Sequence, residues 1–134
     1  MIIRNLNINQ TYTNAQIVES FQCGNMGGMR RSRKTNSLVL ISKHNSCYND
    51  NWKDGILNYT GMGKNGDQSI DFAQNKTLAD SDKNGVEIYL FESFEANAYL
   101  YRGRVKLAGD PFYDWECGDD HCKRRVVKFP LKIC

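Results

Sequence analysis

YNDNWKDGILNYTGMGKNGDQ, residues 48–68, packs tyrosines, a tryptophan, carboxylates and glycines into a run that a hydrophobic core does not require. Tyr48 and Tyr59 read as the two walls of an aromatic slot. Asp50 or Asp54 offers a hydrogen-bond acceptor to an exocyclic amino group such as that of cytosine. Gly61, Gly63 and Gly66 mark places where backbone turns sharply or comes close to a ligand. Plainer roles compete with each of these. Both tyrosines also suit a core or surface position. Aspartate favours turns, so at least one of the two carboxylates is expected to serve a turn. Trp52 reads as a packing anchor for the loop.

Outward from this run, which itself contains a strand at Leu57–Tyr59, the chain supplies more strands at Ser37–Ser42, Val86–Phe91, Tyr99–Leu107 and Arg124–Leu131. Each is rich in β-branched, aromatic or leucine residues. Ile2–Ile8 alternates apolar with polar residues, as a half-buried strand does. Thr13 followed by Gln16 fits a capping box for a short helix with Ile17, Val18 and Phe21 on one side, ending near Cys23 and Gly24. The polar, glycine-rich stretch Gly24–Asn36 then reads as a loop. Asn65-Gly66 and Asn84-Gly85 are turn dipeptides. Strands separated by turns, with one or two short helices, predict a mainly β fold closed or nearly closed into a barrel.

With 134 residues, 40% of them hydrophobic and 25% charged, the chain suits a single globular domain over residues 1–134. The longest apolar runs, such as Leu38–Ile41, are far too short to span a bilayer, and the N-terminus lacks the order of a signal peptide. A cytoplasmic protein without membrane contact is the expectation. Five cysteines, Cys23, Cys47, Cys117, Cys122 and Cys134, are odd in number and irregular in spacing, which points to reduced thiols. The net charge of +3 argues only weakly for nucleic acid. Its distribution says more: Arg30, Arg31, Arg33 and Lys34 form one basic group and Lys123, Arg124, Arg125 and Lys128 a second, with Asp110, Asp114, Glu116, Asp119 and Asp120 between them. Were bases and acids on opposite faces, the molecule would offer a phosphate-binding side without being strongly cationic.

The run at 48–68 resembles the SRA (SET-and-RING-associated, or YDG) domains, especially the bacterial type fused to HNH modification-dependent endonucleases. The resemblance extends over GGMRRSRKTNSLVLIS (27–42), NKTLADSDKNGVEIYLF (75–91), YRGRVKL (101–107) and VVKFPLKI (126–133). It implies a PUA-like twisted β-barrel that flips a modified cytosine out of double-stranded DNA and holds it between aromatic rings. Tyr59, in YTG, matches the family's second stacking tyrosine and Tyr48 the first. The loop between them is one residue shorter than in eukaryotic members, which leaves Asp50 and Asp54 both open as the base-reading carboxylate, with Asp50 favoured by spacing. Thr60 and Gly61 correspond to contacts on the base edge.

Flipping leaves a hole in the duplex that reading proteins plug from loops. GGMRRS offers Met29 as an apolar wedge, with Arg30, Arg31 and Arg33 as phosphate or groove contacts. Lys64, Gln68, Asn75 and Lys76 supply polar donors from a second loop. The resemblance further implies an attached nuclease, no cofactor and no chemistry in this domain. Burying one methyl group gains only about 0.8 kcal/mol, a preference of a few fold, so methyl, hydroxymethyl and glucosylated hydroxymethyl all stay open as the modification. Two copies on one DNA would multiply a small preference, which makes a homodimer a candidate assembly.

Three other classes compete with this reading. Cys117, His121 and Cys122 in CGDDHC, with His44 and Cys47, are soft metal ligands, but their spacing is not that of a zinc finger, and no metal is expected. A catalytic base-flipping enzyme would need motifs that are missing: there is no zinc-deaminase signature, no glycine-rich cofactor fingerprint and only two histidines. A PUA-like RNA-binding module, or a reader of another modified base, would use the same barrel and basic loops.

Overall fold

The structure is a computed structural model that describes residues 6–44, 52–63, 66–117 and 123–134. Strand accounts for 48% of it and helix for 12%, so the mainly β expectation holds. Its centre is β3 (Ser37–Lys43), whose SLVLISK sequence is apolar on both faces and buried through Ser42. Leu38 and Leu40 point into one hydrophobic cluster, and Val39 and Ile41 into another, as the two-residue period of a strand requires. β6 (Glu87–Glu95) runs parallel to β3, from Ser37 opposite Glu87 to Lys43 opposite Ser93. β6 then turns back into β7 (Ala98–Leu107), with Asn97 at φ 54° in the turn.

The β6–β7 ladder is irregular in a way that matters below. Leu90 pairs with Gly103 and Phe91 with Tyr101, so Arg102 is the extra residue of a bulge. β9 (Lys123–Ile133) pairs along different parts of its length with β7, with β5 (Ile56–Thr60) and with β8 (Phe112–Cys117). The sheet path runs β2 (Met29–Ser32), β3, β6, β7, β9, β5, β4 (Trp52–Lys53), while β1 (Thr11–Tyr12) pairs with β7. Strand pairing does not close this path into a ring. The sheet curls nonetheless: the Tyr59 hydroxyl, from β5, reaches the carbonyls of Gly28 and Ile41 at the β2–β3 end, at 2.6 and 3.1 Å.

The inside of the curl holds Leu38, Leu40, Leu57, Leu90, Phe129 and Leu131, all fully buried. The outer face of β3, β6 and β7 is covered by α1 (Asn14–Phe21). The predicted capping box is present, with Gln16 N–H donating to Thr13 Oγ1 at 3.2 Å and Thr13 N–H to Gln16 Oε1 at 2.8 Å. Gln22, at φ 56°, ends the helix. Ile17 and Phe21 are fully buried, each contributing roughly 1.5–3 kcal/mol of burial, and Phe21 meets Phe91 edge-on at 5.9 Å.

Several expectations are corrected. Of Ile2–Ile8 only residues 6–8 are described, and they form no strand. The expected loop 24–36 contains β2, because Met29 and the aliphatic part of Arg30 find cover. The acidic segment, for which no strand was expected, contains β8, whose Phe112–Cys117 sequence alternates in strand fashion. β8 pairs with β9, placing Glu116 opposite Arg124 and Asp114 opposite Val126, so acids and bases interleave on one hairpin. They do not sort to opposite faces.

Candidate nucleic-acid interface

Tyr59 and Thr60 are adjacent on β5 and therefore face opposite sides of the sheet. Tyr59 points into the curl, is 3% exposed and belongs to the larger hydrophobic cluster. Its hydroxyl contacts on Gly28 and Ile41 fix the ring at its far end. A Cβ on Gly28 would stand 3.2 Å from that hydroxyl, so a larger residue there would press on the ring. Thr60 faces the β8–β9 hairpin, where its Oγ1 accepts from Lys128 Nζ at 2.6 Å. Lys128 is buried and ion-paired to Glu116.

Beyond Thr60 the backbone leaves the ladder, and three buried polar side chains hold it. Asn75, on α2 (Gln74–Ala79), is fully buried; its Oδ1 accepts from Met62 N–H at 2.7 Å and its Nδ2 donates to Met62 O at 3.2 Å. Gln68 Nε2 donates to Gly61 O and Gly63 O at 2.8 and 3.0 Å, while its Oε1 accepts from Val127 N–H at 2.9 Å. Arg124 donates from Nη1 to Gly63 O and Gly66 O. Gly61 has no room for a side chain, since a Cβ would lie 2.7 Å from Asn75 Oδ1 and 3.1 Å from Phe129. Gly63, at φ +125°, needs glycine for its backbone conformation. Each buried amide here is satisfied by backbone, which is what makes burying it affordable.

Gln68 and Asn75, expected to reach out as loop contacts, thus point inward and brace residues 61–63. Their neighbour Lys76 is exposed and pairs with Asp80 at 3.0 Å, which holds its ammonium pKa above the usual lysine value. Asp54 is exposed at φ 54° and with Gly55 at φ 79° forms the two-residue turn joining β4 to β5. Its place is thus the turn role that aspartate favours. Tyr48, Asp50 and Lys64 lie outside the described residues.

Met29 is not a protruding wedge but a core residue, 5% exposed and packed inside the curl. Arg30 is equally buried: its guanidinium donates to Gly27 O at 3.0 Å and to Asn14 Oδ1 at 2.6 Å. Arg31 holds the β2–β3 turn through Ser37 O at 3.1 Å and Asn36 Oδ1 at 2.9 Å. Arg33 and Lys34 are exposed at that turn. A cavity of about 470 Å³ lies between residues 79–88 and 104–111 and touches none of the expected site residues. No cluster of metal ligands occurs among the described residues, and no helix there is long and apolar enough to cross a membrane.

The family model described as "ScoMcrA-like, SRA domain" matches residues 9–134. Among solved structures, the sulfur binding domain and SRA domain of ScoMcrA, complexed with phosphorothioated DNA, aligns with TM-score 0.78 at 17% identity, covering 96% of this chain and 40% of that one. The SUVH5 SRA domain in complex with hemi-methylated CG DNA aligns with TM-score 0.71 at 20% identity, over 100% of this chain and 94% of that one. The modification-dependent TagI restriction endonuclease aligns with TM-score 0.73 at 20% identity, over 98% and 51%. The chain therefore spans well under two thirds of ScoMcrA and of TagI, and at these identities the likeness is one of fold. Nothing among curated proteins matches.

Proposed function

This chain belongs to the ScoMcrA-like SRA family, and from that premise we propose that it binds double-stranded DNA containing a modified cytosine, flips that base, and serves as the specificity module of a modification-dependent restriction endonuclease. The observation that carries the proposal is the Tyr59–Gly63 segment. The Tyr59 ring is held at its hydroxyl, and the backbone that follows is fixed by Asn75, Gln68 and Arg124. A base edge is read by donors and acceptors set to within a fraction of an ångström, and such a frame suits that task.

Tyr59 and Tyr48 are the stacking walls in this proposal, Asp50 reads the exocyclic amine, and Thr60 and Gly61 border the base edge. Asp54 sits in the β4–β5 turn, which supports giving the base-reading role to Asp50, the carboxylate that the family spacing favours. Exposed Arg33, Lys34 and Lys76 serve as phosphate contacts in this proposal. Tyr59 is only 3% exposed and packs within the core cluster, so a base stacks on it only after that packing opens. Association is then expected to be slower than a preformed electrostatic encounter. The domain does no chemistry itself; cutting belongs to a linked nuclease, of HNH type by the family resemblance.

A competition titration tests the proposal on duplexes identical except for one cytosine, plain, 5-methyl or 5-hydroxymethyl, at fixed moderate salt because phosphate contacts dominate raw affinity. A preference for one modified duplex, lost in Tyr48→Ala and Asp50→Asn, is expected. Equal affinity for all three, with a steep salt dependence, would reduce the domain to a backbone binder.

A further inference from the structure

Glu92 is a carboxylate in an unusual place. It lies in the interior of β6, its side chain 4% exposed, yet it is not spent on the sheet. Three cations or N–H donors converge on it. Trp52 donates its indole N–H to Oε1 at 2.9 Å, and His44 Nε2 lies 2.8 Å from the same oxygen. Arg102 Nε stands 3.2 Å from Oε2, an ion pair without hydrogen-bond alignment. Arg102 is the extra residue of the β6–β7 bulge, and a bulge re-aims a side chain that a regular ladder would point elsewhere. The same guanidinium sits over the Trp52 ring at 5.5 Å, while His44 stacks on Phe94 at 4.4 Å and 8°.

A buried carboxylate is costly, and an apolar residue would serve stability as well or better. What the carboxylate achieves here is positional. His44 directly follows β3 and Trp52 begins β4, so they bracket residues 45–51, which carry Tyr48 and Asp50. One side chain thereby ties down both chain points from which that stretch departs. We infer that Glu92 is a positioning residue for the base slot: through His44 and Trp52 it fixes the two ends of the segment that supplies Tyr48 and Asp50. The inference rests on the proposed base-flipping function. Without the anchor the His44 and Trp52 side chains are released, and re-ordering them at the moment of binding would cost additional conformational entropy.

The test is the ratio of affinities for modified and plain duplexes in the wild type, Tyr48→Ala, Glu92→Gln and Glu92→Ala, with far-UV circular dichroism and thermal unfolding alongside. Glu92→Ala is expected to cut the ratio by roughly fivefold, the entropy of a few freed side chains, and to leave plain-duplex affinity unchanged. Glu92→Gln, which keeps an acceptor for Trp52, should retain part of the ratio. A purely structural role would lower the melting temperature in both variants and leave the ratio alone, which overturns the inference. Should Glu92→Ala fail to fold, Trp52→Phe and His44→Ala each remove one donor from Glu92, and an unchanged ratio in both overturns it equally. A wild type without any preference overturns base reading itself, and the inference with it; a wild-type preference lost in Tyr48→Ala but intact in every Glu92, Trp52 and His44 variant overturns only the inference.

Discussion

Met29–Ser32 on β2 and Tyr59–Gly63 at the end of β5 lie close together, Tyr59 donating to the carbonyl of Gly28 just before Met29, yet they are held by different forces. Met29 is fixed by apolar packing, and Arg30 by burial of its stem with its guanidinium fed by Asn14 and Gly27. Residues 61–63 are fixed by directional hydrogen bonds from Asn75, Gln68 and Arg124. Apolar packing constrains volume and forgives small shifts, whereas hydrogen bonds to individual carbonyls and amides constrain the position of each backbone atom. The second kind of support suits a surface that must read another molecule's donors and acceptors; the first suits a wall.

Substitutions can break this contrast. Gly61→Ala drives a methyl into Asn75 and Phe129, and is expected to cost about 2–3 kcal/mol in a urea titration and to abolish any preference for modified DNA. A fully stable, fully selective Gly61→Ala protein would mean the clamp is loose. Met29→Ala should cost roughly 2–3 kcal/mol as a cavity while affinity for both duplexes stays put. Unchanged stability with weakened DNA binding would return Met29 to the wedge role. Tyr59→Phe, which removes the hydroxyl that joins the two regions, is expected to lower stability by about 1 kcal/mol, read as a shifted unfolding midpoint. Smallest of all, Arg33→Ala should leave stability alone and reduce the slope of log affinity against log salt by about 0.9, the contribution of one phosphate contact. An unchanged slope would remove the β2–β3 turn from the DNA interface.

The same contrast explains what the sequence made legible. β3, β5, β6, β7 and β9 announce themselves because each is long enough, and apolar enough, for its period to show; the Thr13–Gln16 box marks α1 by the bonds it goes on to make. β2 does not, since MRRS has no apolar alternation, and its buried Arg30 finds partners only in Gly27 and Asn14, outside the strand. β8 was masked by its acids, although Phe112 to Cys117 alternates. α2 starts at Ala73, φ 49°, without a side-chain cap, and so carries no start signal. The parallel pairing of β3 with β6 joins segments far apart in sequence and leaves no local trace.

Within the site, the tight backbone at Gly61 and Gly63 was readable from residue type, YTG was picked out only by the family resemblance, and Trp52 as a loop anchor is consistent with its bond to Glu92. The inward roles of Gln68 and Asn75 were not readable: a polar residue in a polar loop looks alike whether it faces solvent or a backbone carbonyl. Glu92 was invisible for a related reason. Its partners His44, Trp52 and Arg102 converge only after the sheet curls and the bulge turns Arg102 inward.

Base flipping is the claim on which the rest depends, and 2-aminopurine placed beside a single 5-methylcytosine in a duplex reports it directly, because its fluorescence rises when the neighbouring base leaves the stack. Titration with the protein should raise the fluorescence of the methylated duplex well above that of the plain one at equal saturation, and Tyr48→Ala should remove the difference. A saturated complex whose fluorescence stays flat on both duplexes would contradict the account.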